Sequence, residues 1–540
     1  MSRGENGPGL SAGAAGPPRA GVLLARVVSP LDRLFNRIYS SRHNPLYQSG
    51  NLAVVCFLVT LVSGLYLFLF YKIADPHGSV EAIRERIWLG GWARSLHRYA
   101  ADLALVATAA HVLRKLLHGH TWGPRALAWL SGVALLGVIF ASGWTGLVLV
   151  WDLQGHRIAV EGARLFDLLP VLAEPISRMF AGVDPVPSSF FFMNLFLHVA
   201  LPLGLAALLA VHVSRVARPA LLPPRALLYG LLATLAAVAW LAPVSLSPAA
   251  DLRALSARMP VDLLFAFWLP IARRVPPLLH LALWLVGFGS LAALARLWRP
   301  PTPIAPSRVD EDHCSGCTSC YQDCPYDAIA MVRRERPSRQ TSEFVARVDP
   351  TLCVGCGICA AACAPMGVGP PRRGGRDQLV EARRFLELEP HGGFEVAVLV
   401  CGNGFGRQLD RLAAPGRRIY ATGCSGSLHT AVLELLLRRG VRGLFVLGCP
   451  PRDCTYREGP KWIEERVHGG RAAELHARVD RVRIQLAARS VNEMPEVLAE
   501  LARFERRIRQ LPALAEERVE LEPACDLAAA ERVLEELARG

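Results

Sequence analysis

The segment RSLHRYAADLALVATAAHVLRKLL, residues 94–117, carries two histidines fourteen residues apart, His97 and His111. The segment FFFMNLFLHVALPLGLAALLAVHV, residues 190–213, repeats that interval with His198 and His212. Fourteen residues is nearly four turns of an α-helix, so each pair lies on one helix face, about 21 Å apart along the axis. Each segment is long enough to span a bilayer, which takes about 20 mostly apolar residues. The two segments therefore predict two membrane helices that carry matching histidine ladders.

Two further apolar segments repeat the interval with glycine, at Gly50 and Gly64 and at Gly132 and Gly146. Imidazole is a common axial ligand of haem iron, and a flat macrocycle needs the space that glycine leaves on a neighbouring helix. Ordinary small-residue packing, or membrane histidines that only form hydrogen bonds, are the alternatives. One interval shared by four segments favours haem. We predict two haems stacked across the bilayer, with these ligand pairs: His97 with His198 towards the outside, and His111 with His212 towards the cytoplasm.

Composition divides the 540 residues into a membrane half and a soluble half. Hydrophobic residues make up 52% of the chain, and long apolar runs fill its first 300 residues. The fold class predicted for this half is an all-α transmembrane haem bundle of six helices. The predicted spans are residues 50–71, 94–117, 126–150, 190–213, 226–246 and 277–298.

Basic residues flank these apolar runs, and the formal net charge is +14. They do not form one patch interleaved with aromatic residues, which argues against a nucleic-acid partner. Arginines such as Arg42, Arg125 and Arg218 lie in loops on one side, whereas Asp75 and Asp152 lie on the other. The positive-inside rule then predicts a multi-pass protein of a bacterial or archaeal cytoplasmic (inner) membrane, with both termini in the cytoplasm.

The membrane half, roughly residues 45–300, resembles the cytochrome b family of quinol-oxidising bc complexes. The resemblance rests on the histidine and glycine pairs and on GLVLVWD at 146–152, which is similar to the family motif G-x-x-L-P-W-D. It implies two b-type haems, a four-helix haem bundle at 46–220, two further helices at 221–300, and a homodimer. It also implies that Arg94 and Arg114 pair with haem propionates, as cations do with carboxylates.

The segment PVDLLFAFWLPIARRVP, residues 260–276, resembles the quinol-site segment of that family. Asp262 falls where the family has a glutamate, while Leu263 and Leu264 replace a tryptophan and a tyrosine. A carboxylate beside a quinol hydroxyl can accept its proton, so Asp262 is the candidate catalytic residue. The alternative is that Asp262 only caps a short interfacial helix.

Two cysteine runs follow the membrane half, each with spacings of two, two and three residues. This doubled spacing is typical of a bacterial ferredoxin, in which the fourth cysteine of each run ligates the other cluster. Zinc is the alternative, because C-x2-C pairs also bind zinc. We predict an α+β domain with two 4Fe–4S clusters at 306–372. One cluster is assigned Cys314, Cys317, Cys320 and Cys363, and the other Cys353, Cys356, Cys359 and Cys324.

Strand-like runs ending in cysteine alternate with helical stretches from residue 394 onward. This order predicts an α/β parallel-sheet domain at 390–510 whose strand ends line one crevice. The region resembles the delta subunit of methyl-viologen-reducing hydrogenases, which links to heterodisulfide reductases, through GCPPRDCTYREG and TGCSG. Simple core thiols and a loose dinucleotide-binding loop at CGNGFG are the alternatives. The predicted ligands of a 2Fe–2S cluster are Cys401, Cys424, Cys449 and Cys454.

The remaining segments are a disordered N-terminal tail at 1–45 and a helical tail at 511–540. Taken together, the motifs predict an electron-transfer subunit that links the quinone pool to cytoplasmic iron–sulfur clusters through the two haems. Its partner is expected to be a heterodisulfide-reductase-like flavoprotein or a hydrogenase subunit, docked on the α/β domain. The alternative function is a transmembrane electron conduit with protein partners only and no quinone site. A redox sensor is the third class, but no output domain is visible.

Overall fold

The computed structural model describes residues 19–168, 174–180, 185–214, 216–251, 262–297, 299, 305–335, 340–387, 394–471 and 473–512. Its N-terminal half is helical. The helices of this half are α1 (Arg19–His43), α2 (Ser49–Phe68), α3 (Pro76–Arg86), α4 (Gly90–Leu117), α5 (Ala126–Val150), α6 (Leu153–Phe166), α7 (Ser188–Val213), α8 (Arg225–Leu241), α9 (Leu269–Ala272) and α10 (Pro277–Leu297).

A helix is present at each of the six predicted spans, and four of them are long and apolar enough to cross a membrane: Ser49–Phe68, Gly123–Val150, Ser188–Val213 and Pro277–Leu297. Helix α8 is apolar but has only 17 residues. Helix α4 has 28 residues and a lower mean hydropathy because it carries charged side chains. One of these, Arg98, pairs with Asp102 one turn later at 3.1 Å. The chain is therefore a multi-pass membrane protein.

The helices that carry the histidine and glycine intervals pack in two pairs, α2 against α4 and α5 against α7. Each pair joins a glycine-bearing helix to a histidine-bearing helix. A tight approach of this kind requires residues without a side chain at the crossing points.

The N-terminal segment differs from the prediction of a disordered tail over residues 1–45. Residues 19–43 form α1, which contains Pro30 and has non-helical backbone at Ser40. Its end is held by the C-terminal domain, because the backbone N–H of Ser41 donates to the Glu493 carboxylate at 3.2 Å. Tyr47, just beyond α1, lies 3.1 Å from the Ser490 hydroxyl. The tail prediction is thus wrong for these residues, and residues 1–18 lie outside the described part.

The ferredoxin-like region consists of short elements around its cysteine loops. Strands β1 and β4 pair antiparallel, as do β2 and β3. A short helix carries the third cysteine of each run and ends just before the fourth. The bounds are β1 (Arg308–Val309), α11 (Ser319–Asp323), β2 (Ile329–Arg333), β3 (Phe344–Val348), α12 (Ile358–Ala362), β4 (Val368–Gly369) and α13 (Gly375–Glu387).

The C-terminal region contains a four-stranded parallel sheet of order β6-β5-β7-β8. Its strand β7 and the part of β5 from Val396 to Cys401 are continuous apolar runs. Both faces of the sheet are covered there, as parallel sheets require. The bounds are β5 (Phe394–Cys401), α14 (Gly402–Phe405), β6 (Gly416–Thr422), α15 (Thr430–Arg438), β7 (Gly443–Gly448), α16 (Gly459–Val467), β8 (Ile484–Ala488) and α17 (Met494–Gln510). The predicted helical tail beyond residue 512 lies outside the described residues.

A fully buried ion pair joins the two soluble regions. The guanidinium of Arg466, on α16, donates to the carboxylate of Asp323, at the end of α11, at 2.8 Å. Their side chains are 0% and 1% exposed. Arg471 adds a second pair to the same carboxylate at 2.7 Å. The ferredoxin-like region and the sheet region are therefore packed as neighbours.

Candidate functional site

The four ladder histidines meet in two pairs. The ring centroids of His97 and His198 are 6.2 Å apart, and those of His111 and His212 are 6.4 Å apart. Two metal–imidazole bonds of about 2 Å each, added to the ring radii, account for a separation of this size. Each pair therefore has the spacing that a single bis-imidazole iron requires.

Hydrogen bonds to the neighbouring helices set the orientation of three of these rings. Nδ1 of His97 donates to the Thr60 carbonyl at 2.9 Å, and Nδ1 of His198 donates to the Ser142 carbonyl at 3.0 Å. Nδ1 of His212 lies 3.1 Å from the Ser131 hydroxyl. A carbonyl can only accept, so in His97 and His198 the proton is on Nδ1 and Nε2 is free to bind metal.

Hydroxyl side chains near these rings were not predicted from the sequence. Ser63 and Thr145 each lie 3.2 Å from Nδ1 of the facing histidine, His97 and His198 respectively. The sequence does contain a pattern that could have predicted these hydroxyl groups. A serine or threonine directly precedes each of the four ladder glycines: Ser49, Ser63, Ser131 and Thr145.

Each ladder glycine contacts one histidine ring. A Cβ on Gly50 would lie 2.6 Å from Nδ1 of His111, and one on Gly64 would lie 2.9 Å from Cε1 of His97. The other helix pair repeats this arrangement at 3.1 Å for Gly132 and 2.8 Å for Gly146, against the Cε1 atoms of His212 and His198 respectively. The missing side chain at each ladder glycine thus makes room for a histidine ring, and not only for a macrocycle.

Replacing Gly50 by alanine is therefore expected to displace the His111 ring. Overpacking of this kind costs about 1–3 kcal/mol, which would weaken haem binding at that site by roughly ten- to hundredfold. The haem content of the purified chain, measured against haem concentration during reconstitution, checks this. Gly204→Ala on α7 is the matched control, because a Cβ there would contact nothing within 4 Å.

One cavity of about 1370 Å³ is lined by all four histidines. Its volume exceeds the roughly 300–1,000 Å³ of a single small-molecule site. The cavity extends from Arg94 and Asp262 at one end to Tyr326 and Cys454 at the other. It therefore reaches from the membrane helices to both cysteine-bearing regions.

The two predicted propionate partners have different surroundings. Arg94 lines the cavity and donates to the carbonyls of Val244 at 2.7 Å and Ser245 at 3.1 Å. Arg114 is buried between two carboxylates, Asp32 at 2.8 Å and Asp453. Within the described residues it is not part of the cavity lining.

Asp453 belongs to the GCPPRDC turn, so its pairing with Arg114 ties the sheet region to α4. His118 also donates to this carboxylate, at 2.7 Å. Burial alone would raise the pKa of Asp453, but Arg114 and His118 hold it well below its usual value. Burial raises the pKa of Asp32 despite its contact with Arg114.

Asp262 adopts the capping geometry. Its Oδ1 accepts hydrogen bonds from the backbone N–H groups of Leu264 at 2.9 Å and Phe265 at 2.6 Å. Its Oδ2 pairs with Arg98 on α4. These contacts use three of about four acceptor positions on the carboxylate. Pro260 and Val261, which begin the quinol-site motif, lie outside the described residues.

Ferredoxin cysteines of the two runs lie close enough to interact electrostatically. Cys363 interacts electrostatically with Cys317 and Cys314 of the first run. Cys324 does so with Cys353 of the second run. Cys317 is exposed, whereas Cys314, Cys320, Cys324, Cys356, Cys359 and Cys363 are buried and Cys353 is half-buried.

Backbone N–H groups point at several of these sulfurs. Ala328 donates to Cys324 at 3.3 Å and Gly367 donates to Cys363 at 3.3 Å. Burial raises the pKa of the Cys359 thiol to about 12, although the Ser307 hydroxyl opposes this. Hydrogen bonds to the sulfurs are one of the means by which proteins tune iron–sulfur clusters.

The four later cysteines converge at the carboxyl edge of the parallel sheet. Cys401 ends β5, and its Sγ is 3.6 Å from that of Cys449, which follows β7. A Cβ on Gly459 would lie 2.7 Å from the Sγ of Cys424 and 3.3 Å from that of Cys454. Among the described residues, no three His, Cys, Asp or Glu side chains are grouped as a single metal ion would require. Thiolates around a cluster are spread over its several irons instead.

The histidine-bearing half matches known proteins. The family model for Cytochrome b/b6/petB matches residues 34–218. Cytochrome b6 of Heliobacterium mobile is 33% identical over 172 residues, which are 31% of this chain and 81% of that protein. The chain belongs to the cytochrome b/b6 family. Cytochrome b6 of a Desmonostoc species is 32% identical over 145 residues, which are 26% of this chain and 67% of that protein. The cytochrome b region therefore implies haem b.

The soluble regions of this cytochrome b family member match two further models. A 4Fe–4S dicluster domain matches residues 313–367, and the delta subunit of methyl-viologen-reducing hydrogenase matches residues 407–512. Together with the cytochrome b match, these two matches confirm the three predicted resemblances in their predicted order. The match to the dicluster domain implies 4Fe–4S clusters. A chain of the hyperthermophilic respiratory Complex III aligns with a TM-score of 0.38 and 19% identity, covering 51% of this chain and 82% of that chain.

Proposed function

We propose that this chain is the electron-transfer subunit of a multi-protein membrane complex. It carries electrons between iron–sulfur clusters and the quinone pool through two b-type haems. The observation that carries the proposal is the single cavity lined by both histidine pairs, which also reaches Cys454 and Tyr326 beside the cysteine loops. Haem and iron–sulfur clusters would supply one-electron redox chemistry, and in this proposal they form one continuous series.

The chain's own residues hold and orient these groups. His97 with His198, and His111 with His212, are the proposed axial ligands, with Nδ1 of His97 and of His198 fixed by a backbone carbonyl. The electrostatic contacts of Cys324 and Cys363 with cysteines of the opposite run support two 4Fe–4S sites, each completed by the fourth cysteine of the other run. The four sulfurs at the sheet edge form a 2Fe–2S site in this proposal.

The soluble partner is a hydrogenase-type or heterodisulfide-reductase-like protein. The delta-subunit match over residues 407–512 supports this class. The arginine-rich loops support a topology of six spans with both termini and the iron–sulfur regions in the cytoplasm. Low-potential ferredoxin-type clusters favour electron flow from this partner towards quinone. The predicted homodimer remains an expectation from the family.

The second candidate is an electron conduit with protein partners only. The surroundings of Asp262 favour it, because its carboxylate already caps two backbone N–H groups and pairs with Arg98. A proton acceptor for quinol must present a free acceptor position within hydrogen-bond reach of the hydroxyl. One position on Oδ2 remains for that role.

Asp262→Asn separates the two candidates. Asparagine keeps the capping oxygen, since it is as good a cap as aspartate, but it cannot accept the proton. If Asp262 is the base, quinone-linked turnover is expected to fall by roughly 10²–10⁴-fold. If it is only a cap, turnover and haem content stay near wild-type values. Steady-state assays with a quinone analogue, alongside haem quantification, give the answer.

The haem proposal itself is tested by composition. The purified full chain is expected to contain two haems and to be oxidised, once reduced, by a quinone analogue. One haem or none would contradict the ligand assignment. Two haems that a quinone analogue does not oxidise would leave the conduit as the function.

A further inference from the structure

The end of the cavity nearest His111 and His212 is rich in cations. They come from the end of α4, the start of α5, and the loop and helix that follow β7. This positive end is defined by Lys115, Arg125, Arg452, Arg457 and Lys461, all of which line the cavity.

The carboxylates near these cations are paired with other residues. Glu458, the nearby carboxylate in the cavity lining, pairs with Arg218 at 2.9 Å. The carboxylate of Asp453 is paired with Arg114 and His118. Within the described residues, no carboxylate forms an ion pair with a member of the positive end. Lys115, Arg125 and Arg457 are partly buried. Unpaired charges shielded from water are costly, so such a site favours a bound anion.

Neighbouring groups hold two of these cations in place. Arg125 donates to the Tyr326 hydroxyl at 2.7 Å and to the Thr455 carbonyl at 3.0 Å. Arg457 donates to the Arg218 carbonyl at 3.1 Å. Partial burial lowers the pKa of Arg457 and of Arg452, although Arg452 keeps an exposed position. Arg125 and Arg457 are thus held in place, while Arg452 and Lys461 are exposed members of the positive end.

An unsatisfied polar atom faces the same space. Nε2 of His120 is buried without a hydrogen-bond partner among the described residues, and His120 lines the cavity. Arg114, the residue that the family resemblance implies for a propionate, is occupied by Asp32 and Asp453. The charge that the haem carboxylates need must therefore come from elsewhere.

We propose that Arg452 and Arg457 of the hydrogenase-delta-like region, together with the rest of the positive end, bind the propionate carboxylates of the haem held by His111 and His212. Guanidinium–carboxylate pairs are strong and geometrically specific. The iron–sulfur region therefore completes a haem site of the membrane region, within one chain. This inference rests on the proposed haem ligands.

The test is a redox titration of the full chain in lipid nanodiscs, comparing wild type with the double variant Arg452→Gln/Arg457→Gln. A cation beside a propionate favours the reduced haem, so its removal lowers the midpoint potential. We expect one of the two haems to become about tenfold harder to reduce, which is about 59 mV for one electron. The other haem keeps its potential.

Two control variants separate charge from structure. Arg452→Lys/Arg457→Lys keeps the charges and is expected to restore most of the potential. Arg506→Gln, at an exposed position of α17 outside the cavity lining, is expected to change neither potential. If the double variant does not assemble, the same titration is done with Lys461→Gln, at an exposed position of α16. We again expect the midpoint potential of one haem to fall.

The outcomes are distinguishable. Loss of one haem from the double variant, with unchanged iron and sulfide content, also supports the proposal. Two unchanged potentials with full haem content overturn it. Unchanged potentials with loss of bound lipid phosphate would assign the positive end to an anionic lipid instead. A wild-type chain without a second haem would contradict the proposed function rather than this inference alone.

Discussion

Replacing His212 by leucine is expected to remove one haem per chain and leave the other in place. His212 faces His111 at 6.4 Å between ring centroids, and leucine offers no ligand atom. The second pair lies about four helical turns away, roughly 21 Å along the axis, and shares no ligand with the first. Haem quantification per chain, combined with the reduced absorption spectrum, is the measurement.

His280→Gln is the matched control for this prediction. His280 is another buried histidine of the membrane half, on α10, and it accepts a hydrogen bond from Nε1 of Trp284 at 3.1 Å. It does not belong to the cavity lining, so its replacement should leave the haem content unchanged. An equal loss of haem in both variants would show that His212 acts through folding rather than ligation.

Replacing Arg466 by methionine is expected to destabilise the soluble half by about 3–5 kcal/mol, the cost of removing one partner of a buried ion pair. The carboxylate of Asp323 would keep only Arg471, and the carbonyls of Gly426 and Ile358 would lose a donor. The urea concentration that bleaches the iron–sulfur absorbance should fall accordingly.

Arg347→Met provides the comparison at a surface ion pair of the same region. Arg347 pairs with Glu335 at 2.8 Å, but both side chains are more than half exposed. Exposed pairs contribute little because water and salt screen them. An equal fall in the two variants would mean that burial of the Arg466 pair contributes nothing.

The membrane helices and the cysteine runs were predictable because their signals are local. Helix α4 is a clear case: its mean hydropathy is modest, yet His97 and His111 identify it by their interval. The cysteine spacing of the ferredoxin-like region and the strand ends at Cys401 and Cys449 likewise depend on near neighbours in sequence. The comparisons confirm the families that these signals indicated.

The role of Arg114 was not predictable, because its partner Asp453 lies 339 residues further along the chain. No periodicity connects the two, and only docking of the sheet region on α4 brings them together. The helix α1 was missed for the same reason. Its end is held by Glu493, 452 residues away from Ser41.

The docking of the sheet region also changes the expected layout. The sequence suggested that the delta-like domain extends the electron path towards a soluble partner. Cys454 and Arg457 instead line the cavity that contains His111 and His212. Exposed Cys317 lies in the ferredoxin-like region, so that region offers a more accessible cysteine loop.

Electron transfer from the clusters to the haems can be followed by rapid mixing of the purified chain, with its haems oxidised, against reduced ferredoxin under anaerobic conditions. We expect the iron–sulfur absorbance to bleach first and haem reduction to follow at a rate independent of the chain's concentration. Haems that stay oxidised while the clusters are reduced, or a haem-reduction rate that rises with the chain's concentration, would contradict electron transfer within one chain.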